Sequence, residues 1–255
     1  MTNLAQRRDA RTPEIDRTHA ATKKTARVTG LWYLALGIAG MLGFLIVRPT
    51  IFVEGDAAAT LANVVDNESL ARLGLVAEMA VVVAQTLAAI WFYKLFRGIN
   101  HVAAWAVAIF GVGNAMAVMA SSVFVATALT VAGAPSLAVG SDAAGTVQLM
   151  YELSASSWGV GGMFFGLWLI PMGYIVVTSG RMPMWLGRIL IVGGGAYLLS
   201  AFLGYGIADA ATWLVDGLPY LATVGELWMI LYLLTVGIRP ATHQPATISA
   251  DYVSG

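Results

Sequence analysis

Residues 70–92 read LARLGLVAEMAVVVAQTLAAIWF. Beyond Arg72, close to its start, the run carries one charge, Glu78, and one amide, Gln85. Wound as a helix at about 1.5 Å per residue, it spans roughly 34 Å, enough to cross the hydrocarbon of a bilayer. Five further stretches pass the same test: 28–47, 102–131, 149–177, 185–207 and 218–238. The composition agrees: 58% of residues are hydrophobic and 11% charged, where soluble domains hold about a quarter charged. Most of the surface must therefore meet something apolar.

The fold expected is all-α, a polytopic six-helix transmembrane bundle over 28–238. A flexible basic tail over 1–27 precedes it, and a short tail over 239–255 comes after it. The third and fourth stretches exceed the minimum length and are expected to tilt or project. Pro171, inside the fourth, removes one backbone hydrogen bond, and a kink is the usual result. The basic start leading into an apolar run also has the outline of a signal peptide. The full spanning length of 28–47 favours an uncleaved first helix.

Net charge is zero, but the charges are segregated. Arg7, Arg8, Arg11, Arg17, Lys23, Lys24 and Arg27 precede the first span, Lys94 and Arg97 follow the second, Arg181 and Arg188 flank the turn after the fourth, and Arg239 follows the sixth. Strictly alternating helices put all of these on one side, with only Arg48 and Arg72 opposite. The other side then holds Glu54, Asp56, Asp66, Glu68, Asp142, Asp209 and Asp216. Cations mark the cytoplasmic face, which gives a multi-pass protein of a bacterial inner membrane with both termini inside. An odd helix count would break this agreement.

Between the first two spans, Asp56 can cap a short helix with an apolar stripe of Ala58, Leu61, Ala62 and Val65, lying on the bilayer or on the bundle. Glu68 and Arg72 come next, at the i, i+4 spacing of a helical ion pair. Trp32, Tyr33, Tyr93, Trp105, Trp185 and Tyr220 stand where interfacial anchors belong. Gly37, Gly40 and Gly43, Gly162 and Gly166, and Gly193–Gly195 mark packing seams within the monomer, with homo-oligomer formation as the alternative.

Several chemistries drop out. There is no cysteine, so thiolate chemistry and Cys-ligated metals are excluded. His19, His101 and His243 fall in a tail, a turn and the other tail, so no histidine pair can hold a haem between helices, and there is no HExxH. A GxSxG elbow and a Walker loop are missing, since Gly193-Gly194-Gly195 lacks the lysine that a Walker loop needs. Lys94 is too near a helix end for a retinal Schiff base. Nucleic-acid binding would rest on the basic tail alone, which topology already explains. No cofactor is expected, and an enzyme acting on lipid or prenyl chains is the least supported reading.

There remains polarity inside the spans, where a charge costs about 2.5–3.5 kcal/mol at a helix centre. Glu78 and Glu226 each lie about eight residues inside the outer end of their helices, at a depth of roughly 12 Å. Gln85 shares the Glu78 face one step deeper, Asn114 lies mid-helix, and Glu152 is shallow enough to meet headgroups. One reading is an outward-facing acidic pocket of Glu78, Gln85, Asn114 and Glu226 that takes protons or binds a cation, with Arg72 as counter-ion. In the other, each group is a hydrogen-bonded packing element. Ser154, Ser156 and Ser157 either line the same cavity or bond their own backbone. The chain is thus read as a small carrier or channel-like protein for a small solute or cation, or as a non-transporting accessory, scaffold or envelope-stress protein.

The stretches Arg27-Val-Thr-Gly-Leu-Trp-Tyr33, Gly55-Asp-Ala-Ala-Ala-Thr60 and Arg72-Leu-Gly-Leu75 open a pattern that resembles the "domain of unknown function 4386" family of bacterial membrane proteins. Phe165-Gly-Leu167, Gly173-Tyr174, Ser179-Gly180, Pro183, Leu186-Gly187 and Gly225-Glu-Leu227 continue it in order. The resemblance covers roughly residues 25–240. Glu78 departs from it, standing where an aspartate is expected. The resemblance implies six membrane helices and supplies no substrate.

Overall fold

The computed structural model describes residues 2–239, of which residues up to 19 are described by backbone alone. The expected tail over 239–255 lies outside the described residues beyond Arg239. Helix α1 (Thr2–Gly40) continues through a π-helical segment, Met41–Val47, into α2 (Arg48–Ile51). Then come α3 (Ala57–Asp66), α4 (Glu68–Phe96), α5 (His101–Gly133), α6 (Ala143–Ser179), α7 (Met184–Gly206), α8 (Thr212–Gly217) and α9 (Tyr220–Thr235). Among the described residues six spans are long and apolar enough to cross a membrane: Ala20–Ile51, Glu68–Phe96, His101–Gly133, Ala143–Ser179, Met184–Gly206 and Thr212–Thr235. Each overlaps one of the six apolar stretches.

Helix α1 reaches back to Thr2, well before Val28, where hydropathy starts the span. The added residues are rich in alanine, arginine, lysine and threonine, and the first three favour helix without favouring lipid. Hydropathy locates the part that enters the membrane, not where helical backbone begins. Helix α6 runs on through Pro171 to Ser179, and Gly180, at φ 64°, ends it in a left-handed turn that a residue with a Cβ adopts reluctantly.

Helices α1, α4, α5, α6, α7 and α9 form a closed ring in chain order: each packs on the next, and α9 returns to α1. Short connections force antiparallel neighbours. Aromatic rings fill the middle. Tyr33 of α1, Phe92 of α4 and Trp168 of α6 meet with centroids 5.4, 5.5 and 5.7 Å apart, although α1 and α6 are not ring neighbours. Tyr33, expected as an interfacial anchor, is 2% exposed. The helix begins earlier than hydropathy implied, so this residue sits inside it rather than at its mouth.

The outer surface carries large apolar side chains on every span, among them Leu45, Ile90, Met116, Val160, Phe202 and Leu231. Buried polar residues include Gln85, Ser121 and Ser154, each at 0% exposure. Such a surface suits lipid and not water.

Glycines set the tightest contacts. A Cβ on Gly173 would lie 2.5 Å from the Gly187 carbonyl oxygen, and one on Gly187 would lie 2.6 Å from that of Gly173. One step along, Gly166 and Gly194 repeat the arrangement at 2.7 and 2.6 Å. The paired glycines are seven residues apart on both helices, hence on one face, and they bring α6 and α7 to backbone contact. Gly193 meets the Ala222 backbone of α9 in the same way. The other expected seam glycines are looser. Gly162 would meet only Tyr197 at 3.7 Å, Gly37 and Gly40 have nothing nearer than 4.0 Å, and Gly195 meets nothing within 4 Å.

At one end of the ring, Asp56 caps α3 by accepting from the Ala59 N–H at 2.9 Å. Helix α3 packs on α6 and α5 through Thr60 and Val64, which are buried. The expected stripe is offset by one residue, with Ala58, Ala62 and Val65 exposed. Hydrogen bonds decide the rotation. The Thr60 hydroxyl donates to the Val53 carbonyl and accepts its N–H, both at 3.1 Å, and the Asn63 amide donates to the Ile51 carbonyl at 3.2 Å. This is the acidic end. The opposite, basic end is tied by the Arg239 N–H donating to the Arg181 carbonyl at 3.2 Å.

Candidate functional site: a charged pair joined by two serines

Pro49 has no N–H to return to the turn before it. The chain adjusts in the preceding residues by widening to π-helix, so that the Arg48 N–H reaches the Gly43 carbonyl. One extra residue in a turn rotates the later residues by about 100° relative to an unbroken helix. Arg48 thereby turns towards α6, where its Nη1 donates to Ser154 Oγ at 3.0 Å and its Nη2 to the Tyr151 carbonyl at 2.9 Å. The Phe44 and Phe52 rings flank the guanidinium at 5.9 and 5.4 Å.

Glu78, 7% exposed, faces the same region from α4. Its Oε2 accepts from Ser121 Oγ at 2.9 Å, and its Oε1 accepts from the Trp158 indole N–H at 3.1 Å. Ser122 lies 3.4 Å from Oε2 but also donates to the Val118 carbonyl at 3.0 Å. It has one proton, and the shorter bond holds it. Ser121 and Ser154 are 2.7 Å apart.

The direction of that last bond comes from proton counting. A hydroxyl donates one hydrogen. With Glu78 ionised, Ser121 spends its hydrogen on it, so Ser154 donates to Ser121, while Ser154 itself accepts from Arg48. The series runs one way: guanidinium, Ser154, Ser121, carboxylate. Among the described residues Arg48 and Glu78 form no direct ion pair; the pair within that range is Glu68 with Arg72, at 2.7 Å and well exposed. Arg72 is therefore not the counter-ion of the buried acid, and Arg48 takes that position. A cavity of about 20 Å³ lies between them, lined by Gly43, Val47, Arg48, Gly74, Glu78 and Tyr151 among others. That is room for about one water molecule. Gly74 admits Val47, whose Cγ1 would lie 2.8 Å from a Cβ there.

Glu226 sits elsewhere. Its Oε1 accepts from the Tyr33 hydroxyl at 2.8 Å. The Tyr33 ring packs on Phe92, about 21 Å along α4 from Glu78. Gln85, midway between them on the buried face of α4, has neither amide atom bonded among the described residues, and the Trp168 indole N–H is likewise unpartnered. Asn114, 5% exposed, lies where α5 meets α6, its Oδ1 3.7 Å from where a Cβ on Gly161 would stand. Gln85, Asn114 and Glu226 do not line the cavity beside Glu78. The four residues read together from the sequence thus form one bonded cluster around Glu78, a second contact at Glu226, and two amides between helices.

The serines divide as well. Ser154 joins the cluster; Ser157 bonds the Leu153 carbonyl of its own helix at 2.9 Å; and Ser156 is exposed, its carbonyl accepting from the Tyr205 hydroxyl at 3.4 Å. Glu152 accepts from Gln148 at 3.0 Å near the acidic end. Sequence reasoning did not find Arg48, Ser121, Trp158 or Tyr33 as site residues. The one available signal was Arg48 itself, a cation on the wrong side of the charge pattern with a proline after it.

The family described as Domain of unknown function (DUF4386) matches residues 28–237. An uncharacterized protein of Archaeoglobus fulgidus is 35% identical over 46 residues, which cover 18% of this chain and 28% of that protein. No solved structure matches.

Proposed function

Because the chain belongs to the domain of unknown function 4386 family, whose description carries no activity, the reading must come from the site, and we propose that the protein is a small proton-coupled carrier whose proton-accepting group is Glu78. The observation that carries this is the directed series from Arg48 through Ser154 and Ser121 to Glu78, next to a cavity lined by both charges. A metal cation suits the site poorly. The Arg48 guanidinium lines the same cavity and repels a cation there, and the Trp158 indole is a donor with no lone pair to offer.

A proton is accommodated by rotation alone. Protonated Glu78 donates to Ser121, Ser121 then donates to Ser154, and Ser154 turns its hydrogen to a carbonyl of its own helix, a common bond for serine. Loading Glu78 therefore changes the group that Arg48 meets across two hydroxyls. With the basic end in the cytoplasm, as the cation asymmetry indicates, the cavity lies on the outer side of the inner membrane. Gln85, at 0% exposure and unbonded, lies deeper on the same helix face as a further polar group on an inward path.

The test is proton movement into proteoliposomes carrying an internal pH dye in a chloride salt medium, driven by an acid jump outside. Wild-type protein is expected to acidify the lumen, Glu78→Gln to abolish the signal, and Glu226→Gln to leave it. Undiminished movement with Glu78→Gln overturns the assignment. The backbone contact between α6 and α7 at Gly173 and Gly187 favours a second, static reading as an accessory or scaffold protein. Absence of proton movement by the wild type, with a stoichiometric partner on purification, would put that reading first.

A further inference from the structure

Resting on that reading, we infer that the solute bound with the proton is a small monovalent anion, held by Arg48 in the cavity it shares with Glu78. The guanidinium has five N–H donors, of which two are used, on Ser154 and Tyr151. The remaining three have no acceptor among the described residues, and Arg48 is only half-buried. A planar cation with free donors at the edge of a small cavity is a receptor for an acceptor-only ligand. The cavity, about 20 Å³, suits a ligand of about the size of one water molecule, such as chloride, with formate as the larger comparison.

Charge balance couples the anion to the proton. The polar groups lining the cavity are Arg48 from the first span, Glu78 from α4 and Tyr151 from α6, with Glu152 one residue further along; α5 lines it with Val125 and sets the Ser121 and Ser122 hydroxyls on Glu78 behind it. Arg48 and Glu78 sum to zero. An anion alone would leave one uncompensated negative charge in a low-dielectric setting, which is costly. An anion with a proton on Glu78 restores neutrality, so the two ligands favour each other's binding, and the coupling is reciprocal. The serine pair accommodates this: protonation reverses its hydrogens, so that Ser154 accepts from both Ser121 and Arg48.

The experiment is titration of purified full-length protein in a maltoside detergent, which has no phosphate, with sodium chloride and separately sodium formate against sodium gluconate. The parallel assay is anion-driven proton uptake in proteoliposomes. Wild-type affinity is expected to fall about tenfold per pH unit where one proton accompanies one anion. Arg48→Gln is expected to lose saturable binding. If that variant does not fold, Glu78→Gln serves in its place: it mimics the protonated carboxyl and should bind the anion with no pH dependence. Proton uptake that is equal in gluconate and chloride overturns the anion while leaving Glu78 as the proton site. Proton uptake absent in every medium overturns both. Anion binding that is unchanged by pH in the wild type overturns the coupling.

Discussion

Glu78 and Glu226 are two acids on membrane-spanning helices of one ring, and their surroundings are opposite in kind. Around Glu78, other helical segments contribute Arg48 beyond the π-turn, Ser121 from α5, and Ser154 and Trp158 from α6. Around Glu226 there is, among the described residues, one donor, Tyr33, set among the aromatic rings. The first acid is the end of a network with a charge of each sign. The second is a single contact joining the last helix to the first. An acid inside a membrane is therefore informative about function only once its partners are known.

The largest difference should come from truncation. Glu78→Ala strands the Ser121 and Trp158 donors, about 1–3 kcal/mol each, and leaves Arg48 without its balancing charge, whereas Glu226→Ala leaves one hydroxyl unpaired, about 1–3 kcal/mol. Thermal unfolding in detergent should rank the two in that order. Equal losses would erase the distinction between network and contact.

A middle-sized effect separates the seams. Gly173→Ala sets a methyl 2.5 Å from the Gly187 carbonyl oxygen, backbone that cannot step aside, and overpacking of this kind costs about 1–3 kcal/mol. Gly195→Ala, with nothing within 4 Å, should be neutral. The smallest effect belongs to the exposed pair: Arg72→Ala should lower stability by less than about 1 kcal/mol, and that loss should shrink further as salt is added. A larger loss, or one indifferent to salt, would mean that Arg72 reaches beyond Glu68.

These contrasts also mark how far the sequence could speak. All six spans were legible, because apolar length is a property of the chain alone, and so was the Asp56 cap, a local bond. The depth of Glu78 within its helix was legible for the same reason. Azimuth was not: hydropathy gives the height of a side chain in the membrane but not which neighbour it faces around the ring. Height failed too for Glu226: counted from Leu218 it lies eight residues in, but the last span begins at Thr212, and its partner Tyr33 packs on Phe92, about 21 Å along α4 from Glu78. Arg48 was hidden by a different cause. Its direction depends on the one-residue shift introduced before Pro49, and an unbroken helix drawn through it points the guanidinium elsewhere. Gly173 and Gly187 stood in the pattern of the family resemblance but not in a GxxxG, since seven-residue spacing across two helices leaves no short motif in either.

Closure of the ring by α9 carries a consequence for biosynthesis. The first span to emerge from the translating ribosome cannot acquire its Glu226 partner until the final one has been inserted, so a nascent chain spends most of its synthesis with the α1 face that carries Tyr33 open on the α9 side. A chaperone or insertase that shields such a flank would be needed longest by this architecture, and a stop codon before α9 would strand α1 and α7 as open edges and mark the product for membrane proteolysis.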